Sequence, residues 1–309
     1  MAIASTKQRV VSARRSLPRT EARDAYLFLL PWILGFLIFT AGPMIASIAL
    51  VFMDWPVIAP PTFAGLSNLQ QLAKDPLFFI VLGNTFFYVF IYVPLALIVA
   101  LTMAIALNVK LRGVNVYRVL FYLPSQMPVI ASAMLWIWIF NPDFGLANVA
   151  LTALHLPPQK WLLDPNLSKP CLILMGLWGA GSGMVIFLAG LQGIPEALHE
   201  AASIDGASIP RRFFAITLPL LTPVIFFQLI IGIIGTFTAG FTQAFVMTGG
   251  GPNHSSLLYV LYLYQNAFQY FHMGYASTLA WVLALVIMAF TAIQFRLARQ
   301  WVYYEGDLK

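Results

Sequence analysis

Charge is scarce in this sequence. Asp, Glu, Lys and Arg make up only 9% of the 309 residues, while 60% are hydrophobic and mean hydropathy is +0.83. A soluble domain carries roughly 25% charge, so a soluble globular fold is excluded and an all-α, polytopic membrane protein is expected. Cysteine is nearly absent as well. Cys171 stands alone, which excludes an intrachain disulfide framework and any multi-cysteine metal site. It opens an apolar run and reads as a small packing residue. His155, His199, His254 and His272 show no metal-ligand spacing. None of the six lysines follows a glycine, so there is no P-loop, and neither G-x-S-x-G nor H-E-x-x-H occurs.

What the chain has is long apolar runs. A spanning helix needs about 20 apolar residues, and six stretches qualify: 25–53, 80–108, 118–140, 170–193, 218–241 and 276–296. The first carries Pro31, Gly35, Gly42 and Pro43, so it is expected to tilt or kink. It is not a cleavable signal peptide, because its apolar run is too long and no A-x-A site follows. Residues 1–24 read as a basic cytoplasmic tail and 25–309 as the six-span domain. With the N-terminus inside, fourteen of the 17 Lys and Arg residues lie on inner segments, and Lys74, Lys160 and Lys169 on outer ones. This bias places both termini in the cytoplasm. It also accounts for the net charge of +6 without invoking nucleic acid.

No Asp, Glu, Lys, Arg or His falls inside the six apolar cores. Proton relays, ion-coupled symporters and voltage sensors use such groups. Their absence argues against all three and is compatible with a neutral polar cargo. Sodium coupling through backbone carbonyls stays open.

One polar stretch interrupts the pattern: GIPEALHEAASIDGASIPRRFFAITLPLLTP, residues 193–223. Pro195 suits the start of a helix and Glu196 complements its dipole. Gly206 offers a left-handed position to end that helix. Ser208 can cap a second helix, with Pro210 in its first turn. Pro219 and Pro223 then open the fifth span. A short helix, a glycine corner and a second short helix are therefore expected at the cytoplasmic surface. An ordinary solvated loop with one helical turn fits the same spacing.

The order of Glu200, Ala201, Ala202, Asp205, Gly206 and Ala207, followed by Ile216, Leu218 and Pro219, resembles the EAA loop of binding-protein-dependent ABC transporter permeases. The loop stands at about 194–217, before the penultimate span, where that family has it. GLSNLQQLAKDPLFFIVLGNT (65–85), YLPSQMP (122–128), NPDFGLAN (141–148) and TGGGPN (248–253) are similar to the carbohydrate branch, the maltose and glycerol-3-phosphate type. The chain lacks the additional N-terminal span pair and the large periplasmic insertion of the maltose-type permease, and so is closer to compact six-span members. The resemblance implies a half-channel in the bacterial cytoplasmic membrane. A second permease subunit, a different chain, would complete the pore. Two cytoplasmic ATPase subunits would carry the ATP and Mg, with no cofactor on this chain, and an extracytoplasmic binding protein would deliver a sugar. Glu196, Glu200, Ala201, Ala202, Asp205, Gly206 and Ala207 would couple to the ATPase, with Glu200 near a basic group there.

A sugar path needs polar groups for hydroxyls and aromatic faces for the ring. Trp136, Trp138, Trp178, Ser182, Gln228 and Trp281 are candidates. For the tryptophans, core packing or an interfacial belt is the competing role; for Gln228 it is an interhelical hydrogen bond. Gly176, Gly179, Gly181 and Gly183 suggest close helix contact, or unwinding. Three classes of function compete: an importer permease, an ATP-independent facilitator and a membrane enzyme. The EAA loop argues against the second and the missing catalytic clusters against the third. An amino acid or peptide is the alternative cargo.

Overall fold

The computed structural model describes residues 19–109 and 111–303. Most of the expected basic tail, including Lys7, Arg9, Arg14 and Arg15, lies outside the described residues, as do Lys110 and Lys309. The chain divides into two units, residues 1–49 and 50–309.

In the first unit, α1 (Arg19–Phe36) passes through a π turn at Leu37–Ala41 into α2 (Gly42–Leu50). The wide turn has a local cause. Pro43 has no N–H to donate and its ring would crowd the carbonyl four residues back. The backbone widens just before it, and Gly42 N–H reaches Leu37 O. The expected irregularity in the first span is this turn. Phe28, Trp32 and Phe39 project outward and are exposed.

The second unit is all-α apart from one short ribbon. Strands β1 (Met53–Asp54) and β2 (Thr62–Phe63) pair antiparallel, Met53 opposite Phe63. Helix α3 (Ser67–Lys74) leads to α4 (Pro76–Leu107). Next come α5 (Val114–Tyr122), α6 (Val129–Ile139), α7 (Leu146–Ala153), α8 (Ser168–Trp178) and α9 (Gly181–Gln192). The chain finishes with α10 (Glu196–Ile204), α11 (Ile209–Arg212), α12 (Leu218–Met247), α13 (Tyr259–Tyr264) and α14 (Met273–Trp301).

Four helical stretches among the described residues are long and apolar enough to cross a membrane: 23–50, 76–107, 209–238 and 273–301. The other two expected spans are bent pairs. The stretch over 118–140 breaks by 96° between Gln126 and Val129, and that over 170–193 bends by 48° between Trp178 and Gly181. Pro124 and Pro128 flank the first break. Pro128 cannot donate, and it holds the residue before it extended, with Met127 at ψ 140°.

Helix α4 is the axis of the unit. Val81, Tyr88, Val89, Val93, Ala100 and Ala104 are buried along it, and it packs against α8, α9 and α12. Its first turn is pinned by Asp75. One carboxylate oxygen accepts the Leu77 N–H at 2.9 Å, and the other accepts the hydroxyls of Tyr262 at 2.5 Å and Tyr275 at 2.6 Å. Burial pushes this carboxyl up. The bonds from Tyr262, Tyr275 and the backbone N–H groups of Leu77 and Phe78 outweigh it and hold it below the usual carboxylate range. The pin joins α4 to α13 and α14. Cys171 is buried and free, as its packing role requires.

Candidate functional site

Two places concentrate the residues singled out in the sequence. The first is the loop after α9. Pro195 occupies the N-cap of α10 and Glu196 opens it. The helix ends in a left-handed turn: Gly206 has φ +76°, its N–H donates to Ser203 O, and Ala207 N–H donates to Ala202 O. This paired pattern satisfies carbonyls that the helix end would leave open. Ser208 takes the cap position of α11, but its hydroxyl makes no capping bond. Pro210 stands in the first turn as expected. The expected second short helix does not stay separate. Through a π turn at Phe213–Thr217 it continues into α12, so residues 209–238 form one candidate span. Pro219 explains the π turn, since it leaves no donor for the carbonyl of Ala215. Pro223 lies inside α12 rather than at its opening.

Glu196, Glu200, Ala201, Asp205 and Gly206 are exposed, while Ala202 and Ala207 are half-buried. Glu200 forms no ion pair among the described residues. Two apolar side chains flank the corner and face outward, Ile204 at 87% and Ile209 at 74% exposure. Neither was singled out in the sequence. The signal was available, as an isoleucine on each side of a polar D-G-A-S turn. A shallow cleft of about 260 Å³ beside the corner is lined by Ala202, Asp205, Ala207 and Arg211 among others.

The second place is a cavity of about 280 Å³ between α4, α9 and α12. Ser182 and Gln228 line it, as do Tyr88, Tyr92, Thr236 and Gln243. Tyr88 and Tyr92 are one helical turn apart and their rings stack, with centroids 5.5 Å apart and planes 4° from parallel. Tyr88 donates to Gln243 Oε1 at 2.5 Å. Gln228 Nε2 donates to Gly183 O at 2.9 Å, so the interhelical bond exists, and Gln228 also lines the cavity.

Glycines make this arrangement possible. A Cβ on Gly176 would sit 2.5 Å from the Tyr92 ring, and one on Gly183 3.2 Å from Gln228 Nε2. A Cβ on Gly181 would collide with the Phe121 carbonyl oxygen. Close contact therefore holds at Gly176, Gly181 and Gly183, while Gly179 lies in the break between α8 and α9.

The four candidate tryptophans lie outside the lining of this cavity. Trp136 packs edge-on against Trp178 with centroids 6.1 Å apart, and both are half-buried. Trp138 is 73% exposed and leans on Phe144. Trp281 is half-buried on α14. Tyr88, Tyr92 and Gln243 escaped the sequence reading. Tyr88, Tyr92, Ala96 and Ala100 recur every fourth residue, a face that could have been marked. Among the described residues no group of His, Cys, Asp or Glu could hold a metal ion.

The helical bundle, its apolar spans and its glycine-packed polar cavity define a polytopic membrane protein. The family model described as binding-protein-dependent transport system inner membrane component matches residues 93–302, and the chain belongs to that family. It is 44% identical to the probable ABC transporter permease protein YesP of Bacillus subtilis (strain 168), covering 93% of this chain and 94% of that one. It is 34% identical to the arabinooligosaccharides transport system permease protein AraP of the same organism, over 93% and 92%. A crystal structure of a bacterial alginate ABC transporter, in complex with an alginate pentasaccharide-bound periplasmic protein, contains a chain of the same fold. The TM-score is 0.78 at 22% identity, with 91% and 96% of the chains covered. The resemblance drawn from the EAA loop is thereby borne out at the level of the family.

Proposed function

We propose that this chain is one half of the pore of an ATP-driven sugar importer in a bacterial cytoplasmic membrane. In this reading a second, different permease subunit completes the pore, and an extracytoplasmic binding protein delivers the solute. Two cytoplasmic ATPase subunits grip the loop at 194–217. The chain itself hydrolyses no ATP and carries no cofactor. The observation that carries the reading is the α10 corner. Exposed Ile204 and Ile209 bracket the turn one helical turn after Glu200, which forms no ion pair among the described residues, and residues 193–208 lie outside every candidate span. Apolar side chains exposed in a polar loop mark a protein contact, and a carboxylate among them gives the contact register. The likeness to an arabinooligosaccharide permease supports a sugar as cargo, and the cavity offers hydroxyl partners beside a stacked aromatic wall.

Glu200→Ala tests the coupling. Removing one member of a partly desolvated pair costs roughly 2–5 kcal/mol. The variant should insert normally yet lose co-purifying ATPase, or hydrolyse ATP without uptake. Full transport with the ATPase bound would make the loop an ordinary one and favour a facilitator. Orientation is tested separately at the exposed Lys160. In a Cys171→Ala background, Lys160→Cys should react with an impermeant thiol reagent in intact cells. Reaction only after permeabilisation would invert the topology.

A further inference from the structure

Resting on the reading that cargo passes between α4, α9 and α12, we infer that this cavity filters for uncharged, polyhydroxylated solutes and disfavours anions. Its lining contains no Asp, Glu, Lys, Arg or His. Its polar groups are set in complementary senses. Because Gln243 Oε1 is taken by the Tyr88 hydroxyl, its Nε2 is left as a donor. Because Gln228 Nε2 spends one of its two N–H groups on the Gly183 carbonyl, its Oε1 is left as an acceptor beside a single remaining N–H. Ser182 and Thr236 contribute hydroxyls that do both.

A sugar hydroxyl donates and accepts, so it satisfies either amide. A carboxylate, phosphate or sulfonate only accepts. It would bring its charge toward Gln228 Oε1 with no cation to compensate, in surroundings where an unpaired ion is costly. Lys169, at the N-terminal end of α8, is engaged elsewhere. It donates to Asn84 Oδ1 at 2.8 Å and lies over the Phe87 ring, a turn away from Tyr88 along α4 and outside the cavity lining. The stacked Tyr88 and Tyr92 rings add an apolar wall suited to the C–H face of a pyranose or furanose ring. An uncharged oligosaccharide therefore fits this half of the pore. An acidic polysaccharide of the alginate kind would need a cation that these residues do not supply.

The test reads the charge preference without knowing the cargo. Ser182→Cys in a Cys171→Ala background is purified with its partner subunits and reacted with two methanethiosulfonates of similar size, one neutral and one bearing a sulfonate. Leu154→Cys, exposed on the loop after α7, serves as reference. The neutral-to-anionic rate ratio should be at least about tenfold higher at position 182 than at 154. Adding Gln228→Arg should bring it back toward the reference value, and Gln243→Lys provides the same check if the first variant fails to assemble. Equal ratios at the two positions, or no reaction of Ser182→Cys with either reagent, would overturn the filter. ATPase co-purification is scored on the same preparation. Its presence alongside equal ratios sinks the filter alone, while its absence from the parent protein sinks the permease reading too.

Discussion

The α10 corner and the wall of the cavity both depend on glycine, for opposite reasons. Gly206 has a left-handed backbone with nothing within 4 Å of where a Cβ would be. Gly176, Gly181 and Gly183 have ordinary backbone angles but no room. The first need is local: a helix must stop and its last carbonyls must find donors. The second is tertiary, since α4, α5 and α12 approach so closely that even a methyl group intrudes. A glycine of the first kind tunes the direction of the chain, whereas one of the second kind decides whether helices meet at all.

Substitutions should separate the two. The largest effect is expected from Gly181→Ala, because the collision is with backbone at Phe121 and cannot be relieved by a rotamer change. A loss of about 3 kcal/mol is expected, read as a lower unfolding midpoint in detergent and less assembled transporter. A midpoint unchanged from wild type would show that the α5–α9 contact is looser than described.

Next comes the pin at the far end of α4. Asp75→Asn keeps a capping oxygen but removes the charge that receives the Tyr262 and Tyr275 hydroxyls. A cost of about 2 kcal/mol is expected at neutral pH. The folded-state carboxyl is held below its ordinary value, so its stabilisation is full above the unfolded pKa of about 4 and is lost as pH falls through the lower, folded value. Wild type should thus lose its advantage over the variant on acidification below about pH 4. A constant difference across that range would remove the charge from the account.

The smallest effect is expected from Gly206→Ala. A side chain in the left-handed region costs about 1 kcal/mol, and the open surroundings add nothing. Stability should barely move, while ATP hydrolysis per solute imported should rise. Unchanged coupling would leave the corner with no role beyond ending α10.

The same division explains what could be read in advance. Long apolar runs marked α4, α12 and α14, because span length is a property of consecutive residues. The α10 corner was legible for the same reason, down to the left-handed Gly206. The 96° break in the third stretch was missed although Pro124 and Pro128 announced it, since the apolar run continues past both. The cavity was legible only in part. Ser182 and Gln228 stood out as polar residues in apolar spans. Gln243 lies beyond the expected end of the fifth span, and only the packing of α12 against α4 brings it to Tyr88. Which tryptophans pack and which face outward is likewise fixed by partners distant in sequence, as with Trp136 against Trp178.

The broken third stretch bears on how the protein is made. The eleven residues of α6 rise about 16 Å, roughly half of a bilayer's hydrocarbon core. Such a segment cannot be released into lipid alone, because the break at 126–129 would present unpaired backbone groups. Its contacts come later in the chain: α5 and the turn after it rest on α9, and α6 rests on α12. A ribosome finishes α6 about forty residues before it begins α9 and about eighty before it begins α12. During synthesis the third stretch must therefore wait, sheltered by the insertion machinery or held at the membrane surface, until its neighbours arrive.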